Sequence, residues 1–303
     1  MLEENNAWSL YWQQDTLQSC ISSQNPADKA FIDSFWSGFA AELGDEAEII
    51  DLASGNGAVP AAMLRHNKQF RITAVDYAEI SPLKYLSNPG NLNVVKFIPA
   101  TNIESLPLAD RSFDAVTSQF GIEYANLNKV STQIARVLRP GGRCQFLMHH
   151  RNSEIIKPNA RLLPELARCL ADKGIVHALF QYLQGDMQLL DLEAIGKQHL
   201  EANFTKSRQI SGQIFEHIGT ITQLANSDPI EAMQLARQMT KRIEAEQLRL
   251  QQMLDASLDE DELEAFLSLL EAKGLHQLSC APLQLQEDSR NILVGWQVTA
   301  NNP

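Results

Sequence analysis

What this 303-residue chain lacks narrows it first. It has four cysteines, Cys20, Cys144, Cys169 and Cys280, scattered and without a CxxC pair. That argues against a disulfide framework or a cysteine-rich metal knuckle and for the reduced thiols of a cytoplasmic protein. No apolar run approaches the roughly 18 residues that a bilayer span requires. The opening stretch "MLEENNAWSLYWQQD" has no basic region leading into an apolar core, so no signal peptide is expected. Positive charge is scarce: 25 Lys and Arg stand against 37 Asp and Glu, for a formal net charge of −12. Such a surface repels phosphate backbones, so nucleic acid is not the expected partner. Internal repeats and low-complexity tracts are missing as well.

What is there is ordinary globular material, 44% hydrophobic and 20% charged, with ample apolar mass for a core. The first forty residues are aromatic. Phe31, Phe35 and Phe39 recur at i, i+4 and i+8, one face of a helix. Trp8, Tyr11 and Trp12 precede them as candidates for a lid over a pocket. From 47 to 150 short apolar runs alternate with helical stretches. "AEIIDLAS", "FRITAVDY", "LNVVKFIPA", "SFDAVTSQF" and "GGRCQFLMHH" read as strands, "VPAAMLRHN" and "LNKVSTQIARVLRP" as helices, with Pro140-Gly141-Gly142 as helix stop and turn. That alternation means βαβ units and a mostly parallel sheet covered on both faces.

After His150 the rhythm changes. Residues 151–257 carry helical periodicity without a strand, and Ile230, Met233, Leu235, Met239, Ile243 and Leu248 mark the apolar side of a long helix entered through Asp228 and Pro229. The helix "SLDEDELEAFLSLLEAKGL", ended by Gly274, then leads into "HQLSCAPLQLQED" and "NILVGWQVTA", two strands joined by a turn at "EDSRN". The expected organisation is a helical lid over 1–46, an α/β domain over 47–150 and 258–303, and a helical insertion over 151–257. The insertion would serve as substrate cover or dimer face, and its Phe180, Tyr182, Phe204 and Phe215 are either pocket lining or plain core.

The chemistry concentrates in "IIDLASGNGAVP", residues 49–60: a buried strand, a tight turn and the start of a helix. Gly55 and Gly57 permit a sharp turn and a close ligand approach, and the helix that follows presents free N–H groups. A dinucleotide site wants a third glycine where Pro60 stands. Asp51, four residues before Gly55, would repel a pyrophosphate and suits a ligand carrying an ammonium or a sulfonium. A nicotinamide-dependent dehydrogenase is therefore disfavoured.

An acid, three residues and then glycine-x-glycine resembles the first motif of the class I S-adenosylmethionine-dependent methyltransferases, and four further matches follow in order. Asp76 in "ITAVDYAE" occupies the place of the acid that bonds the ribose hydroxyls, and Tyr77 that of the side chain lying against the adenine. Leu106-Pro107 with Ser112-Phe113-Asp114, "LRPGGR" at 138–143 and the terminal hairpin are the others. The flavour is that of the bacterial quinone- and small-molecule-methylating enzymes. The resemblance covers about 47–150 and 258–300. It implies an α/β, Rossmann-like, seven-stranded and mostly parallel sheet with an antiparallel terminal hairpin and a helical insertion between strands five and six. It also implies S-adenosyl-L-methionine as cofactor, S-adenosyl-L-homocysteine as product, and no metal. One departure stands out: where the family usually has an acid for the adenine amino group, Asn102 stands, followed by Ile103. An amide oxygen still accepts that N–H.

In such a sheet the ligand lies beyond the carboxyl ends of the strands. The expected cofactor-binding residues are Asp51, Ala53, Ser54, Gly55, Gly57, Asp76, Tyr77, Asn102, Ile103, Ser118, Gln119 and Phe120. Methyl transfer is an in-line displacement that needs alignment and, for a hydroxyl or acidic carbon acceptor, a base. His149, Glu123 and Tyr124 are the candidates for catalysis, and Tyr11, Trp12 and His150 for substrate binding. Strand alternation sends His149 and His150 to opposite faces, so one at most should meet the pocket. The expected activity is methyl transfer to a small-molecule acceptor, with a homodimer through the insertion as a further expectation. A non-catalytic cofactor-binding sensor of the same fold is the alternative, separated from it by turnover.

Overall fold

The computed structural model describes residues 4–20, 26–201, 209–287 and 290–303. The alternation read from the sequence becomes one seven-stranded sheet: β1 (Glu48–Leu52), β2 (Arg71–Val75), β3 (Lys96–Ile98), β4 (Phe113–Gln119), β5 (Leu138–Met148), β6 (His276–Glu287) and β7 (Arg290–Asn301), in the order β3-β2-β1-β4-β5-β7-β6. The pairings among β1 to β5 are parallel, and β7 runs antiparallel to both β5 and β6. Strand order reverses between β1 and β4, which opens a crevice beyond the carboxyl ends of these two strands. The expected α/β sheet with its antiparallel terminal hairpin is what forms; the turn itself, at 288–289, lies outside the described residues.

Among the helices, α1 (Glu4–Trp12), α2 (Pro26–Ala40), α3 (Ala58–His66), α4 (Pro82–Tyr85), α5 (Leu127–Val137), α6 (Ile156–Ala160), α7 (Leu163–Leu170), α8 (Ile175–Gln184), α9 (Leu189–Glu201), α10 (Gln209–Ala225), α11 (Pro229–Ala256) and α12 (Glu260–Ala272), two pairs cover the sheet. Trp36 of α2 with Met63 and Leu64 of α3 pack on Ile49, Ala115 and Leu147. Ile134 of α5 with Phe266 and Leu270 of α12 pack on Ile50, Val116 and Phe146. Each of these large side chains contributes about 1.5–3 kcal/mol of burial. Strands apolar on both faces are the reason these segments read as continuous rather than alternating runs. A full capping box starts α12: Asp259 accepts from the Glu262 N–H and Glu262 from the Asp259 N–H, at 3.0 Å each.

Two boundaries differ from the sequence reading. Of "LNVVKFIPA" only Lys96–Ile98 pair with β2, because Gly90–Val94 coil into a 3₁₀ turn after Pro89. And Pro140-Gly141-Gly142 is not the helix stop. α5 ends at Val137, Leu138 already pairs with Phe113, and the register shift that follows holds the glycines. Gly141 (φ 78°) donates to the Asn302 carbonyl at 2.7 Å and Asn302 back to Gly142 at 2.9 Å, so the end of β7 closes the bulge.

The chain divides into two compact units, Trp8–Lys157 with Gln252–Pro303, and Met1–Ala7 with Pro158–Gln251. The first holds the sheet. The second is helical, and within it Cys169 Sγ lies 3.4 Å from His199 Nε2, and the His199 and Phe215 rings lie 5.7 Å apart. The long helix buries Ala232, Ala236, Met239 and Ile243, whereas Ile230, expected on that stripe, is 73% exposed. At the start of the helix Ala232 and Ala236, not Ile230, take the buried face. Phe180, Tyr182 and Phe215 are half-buried in this unit, and Phe204 lies outside the described residues.

Candidate functional site

The turn after β1 winds through three left-handed residues: Ala53 (φ 53°), Gly55 (φ 53°) and Gly57 (φ 87°), the last capping α3. Two buried acids flank it. Asp51 accepts the Thr117 hydroxyl on Oδ1 at 2.8 Å, while its buried Oδ2 has no hydrogen-bond partner among the described residues. Burial pushes its carboxyl up to about 7, against the Thr117 and Ser54 hydroxyls, with the neighbouring Asp76 charge adding to the rise. Asp76 accepts the N–H of Gly55 on Oδ2 at 2.7 Å and that of Ala78 on Oδ1 at 2.8 Å. Burial raises it to about 6 although both N–H groups favour the charged form. A buried, half-partnered carboxylate is expensive alone and becomes favourable beside a cation.

Further along the strand ends, Tyr77 is 53% exposed, with its ring open to a flat ligand, and Ile103 is buried. Asn102 is exposed, and its Oδ1 already accepts the Glu104 N–H at 2.8 Å. Ser118 and Gln119 have their side chains engaged within the fold. The Ser118 hydroxyl donates to the Leu52 carbonyl at 2.8 Å, and Gln119 Oε1 accepts from the Trp36 indole at 2.7 Å, on the α2 side of the sheet. β4 alternation places both side chains in packing. The next residue, Phe120, leaves the strand with φ 53° and lays its ring flat on His149, centroids 4.6 Å apart and planes 15° apart. Gly121 follows because nothing larger fits: a Cβ there would meet the Ala53 Cβ at 2.5 Å.

His149 ends β5 and is fully buried. Its Nε2 lies 3.2 Å from the Tyr124 hydroxyl and 3.6 Å from Cys20 Sγ. Its N–H donates to Glu123 Oε1 at 2.7 Å, and burial pushes that carboxyl up to about 7. Glu123 is thus a brace on the β5 end. His150 does not join this group. It points to the other face, stacks on Trp296 at 4.2 Å and accepts the Asn152 N–H on Nδ1 at 3.0 Å, with burial lowering its basicity. Substrate binding by His150 is therefore not supported, for the alternation reason that separated the two histidines in the sequence.

The N-terminal aromatic segment lies on this site. The Trp12 ring rests directly on Gly55, where an added Cβ would come within 2.2 Å of it. Trp8 packs edge-on to Tyr124 at 5.4 Å and to Tyr11 at 5.7 Å. Ser9 Oγ accepts the Glu79 N–H and Asp15 Oδ1 the Ser87 N–H, both at 2.9 Å. Asn56, the residue between the two turn glycines, is fully buried and donates through Nδ2 to the carbonyls of Trp12 (3.0 Å) and Thr16 (2.8 Å). From the sequence, Asn56 had no assigned role and Cys20 was read only as one of four scattered thiols. The only signal was an amide where the fold needs nothing but backbone.

No group of three or more His, Cys, Asp or Glu that could hold a metal occurs among the described residues, and none of their helices is long and apolar enough to cross a membrane. A family model described as a methyltransferase domain matches residues 50–146. The ubiquinone/menaquinone biosynthesis C-methyltransferase UbiE of Hydrogenovibrio crunogenus is 30% identical over 176 residues, which cover 54% of this chain and 67% of that protein. Its counterpart from Klebsiella pneumoniae is 30% identical over 178 residues, covering 51% and 69%. A solved S-adenosylmethionine-dependent methyltransferase of Thermotoga maritima, described as a possible histamine N-methyltransferase, aligns over 91% of both chains at 10% identity with a TM-score of 0.45.

Proposed function

This chain belongs to the class I S-adenosylmethionine-dependent methyltransferases, and we propose that it methylates a small aromatic acceptor, with Tyr124 as the group that meets the acceptor's proton. S-Adenosylmethionine is its cofactor, and supplies when bound a methyl group already activated on a sulfonium. The residues fit such a cation. The observation that carries the reading is the pair of buried acids at the turn, above all the unpartnered Asp51 Oδ2. Asp51 would answer the donor's positive charge, Asp76 the ribose hydroxyls, and the exposed Tyr77 ring the adenine, with Ile103 behind it. Ala53, Ser54, Gly55 and Gly57 shape the turn, with Trp12 packed on Gly55 and Phe97 beside Gly57.

On the acceptor side the wall is aromatic: the half-buried Trp8, with Tyr11 and Tyr124 each edge-on to it. Such a wall favours a flat ring over a flexible polar chain. The relatives' printed role in ubiquinone and menaquinone biosynthesis supports an aromatic acceptor too. Full burial keeps His149 from touching an acceptor directly, so its part in proton removal runs through the half-buried Tyr124, and Glu123 holds the strand end in place. The test is transfer of labelled methyl from S-adenosylmethionine to a panel of phenols and quinols, with tRNA and bulk protein as controls. Label in the ring compounds supports the reading; label confined to the macromolecules overturns it. We further propose the helical insertion as a homodimer face, supported by the exposed Leu190 and Ile230; a monomer in sedimentation velocity at micromolar concentration overturns that.

A further inference from the structure

The thiol of Cys20 is assigned no part by the methyl-transfer reading, yet it lies against the ring that stands behind Tyr124. We propose that Cys20 is a positioning residue: with Tyr124 it fixes His149 as a neutral proton acceptor, so that seating the N-terminal segment completes the proton-handling group. This rests on the reading of Tyr124 as the group facing the acceptor.

One ring nitrogen is met from two sides. The Tyr124 hydroxyl at 3.2 Å and the Cys20 thiol at 3.6 Å both converge on His149 Nε2. Either contact can run in either direction, and the tautomer with Nε2 bare and the proton on the buried Nδ1 is the one that accepts from both. Ser19 Oγ lies 3.2 Å from the Cys20 sulfur, so the thiol can receive a hydrogen bond there while giving its own to the ring. The ring plane is set separately, by Phe120 stacked flat on one face, and the backbone by Glu123 at the His149 N–H. Orientation and protonation are thus fixed by different residues, and Cys20 belongs to the second task.

The proton balance follows. As the acceptor loses its proton, the Tyr124 oxygen takes it, and the Tyr124 hydroxyl proton passes to Nε2. Tyr124 is neutral before and after, and His149 carries the charge. A ring already protonated on Nε2 could not serve, so holding that nitrogen bare is a condition of the step. Tyr124, Phe120, Glu123 and His149 all come from the ends of β4 and β5. Cys20 alone arrives on the N-terminal segment, the segment that Asn56 clamps to the glycine turn through the carbonyls of Trp12 and Thr16. The thiol is in place only when that segment is, which couples closure over the donor's turn to readiness of the base.

The experiment is a long-range ¹H–¹⁵N correlation spectrum of the full chain labelled with ¹⁵N-histidine, the His149 signals being assigned by their loss in H149Q. The wild-type chain should show His149 neutral, with Nε2 in the unprotonated range and Nδ1 protonated. C20A should move the Nε2 signal and C20S should restore it, because a hydroxyl donates as the thiol does; Y124F should move it independently. C20A should also lower kcat about threefold to tenfold in the label-transfer assay while calorimetric affinity for S-adenosylmethionine holds within about twofold, the range expected when proton transfer alone is impaired. An Nε2-protonated ring in the wild type, or the same Nε2 signal in C20A as in wild type, overturns the proposal. Undiminished label transfer by Y124F, with the signal still answering to C20A, overturns the Tyr124 reading instead, so the two failures are told apart.

Discussion

The two ends of the crevice are built from different material. At the β1–β2 end the groups lie within a few residues of a strand terminus: backbone N–H groups tie Gly55 and Ala78 to Asp76 at 2.7 and 2.8 Å, and the Thr117 hydroxyl holds Asp51. At the β4–β5 end the group is assembled from side chains far apart in the chain, with Cys20 meeting His149 across 129 positions and Trp8 meeting Tyr124. The first end is local geometry and tolerates little. The second is tertiary packing and should fail by degrees. On the proposed reading the donor meets the fixed backbone end, and the acceptor meets the end made of side chains on separate segments.

The contrast is broken most strongly at the local end. D76A removes a buried carboxylate that holds two N–H groups, so S-adenosylmethionine affinity should fall at least about tenfold by calorimetry, some 1.4 kcal/mol or more. Affinity within twofold of wild type would mean the ribose is held elsewhere. G121A should come next. With 2.5 Å between its new Cβ and that of Ala53, the turn must shift, and urea unfolding should show a loss of about 1–3 kcal/mol. An unchanged midpoint would show that the β4 end has room the geometry denies.

Acidity gives the third prediction. Both acids are raised in the folded chain, Asp51 to about 7 and Asp76 to about 6, from an ordinary 3.8. The folded chain without ligand therefore binds more protons than the unfolded one. Its stability should fall as pH rises from about 4 through about 7 and level off above that. A cationic donor reverses the preference: it favours the ionised acids, so its affinity should weaken as pH drops from 8 to 5, with D51N removing the upper part of the dependence. A flat affinity profile in the wild type would remove Asp51 from the donor site. N56A comes fourth, through the clamp on the N-terminal segment. Residues 8–20 should exchange amide hydrogens faster while the sheet does not, which sharpens the contrast between the ends. The smallest effect is expected at His150: H150Q loses the stack on Trp296, at a cost of about 1 kcal/mol in stability, and should leave methyl transfer unchanged.

How much of this was legible beforehand follows the same division. The strands, their parallel run and the closing hairpin could be read, because strands buried on both faces leave continuous apolar runs and the helices between them leave a different period. That Gly55 and Gly57 form a turn after the first strand could be read as well, since the turn's demands fall on adjacent positions. β3 was read too long because a 3₁₀ turn and a strand both accept "NVV". The packing of the Ser118 and Gln119 side chains is not legible in the sequence, because alternation gives the face of a side chain only once the strand's register is known. His149 and His150 were split correctly in principle, but which one turned toward Tyr124 was not written in either residue.

By itself, then, the sequence determined the α/β class, the mostly parallel strands with their antiparallel close and the glycine turn after the first strand, all of which rest on periodicity and on conformational limits felt within a few residues. Only the tertiary structure decided that Asn56 holds the N-terminal segment, that Trp12 lies on Gly55, and that Cys20 and Tyr124 share one nitrogen of His149. Those are meetings of side chains from separate segments. They exist only after the sheet has fixed where each segment runs, and no spacing along the chain records them.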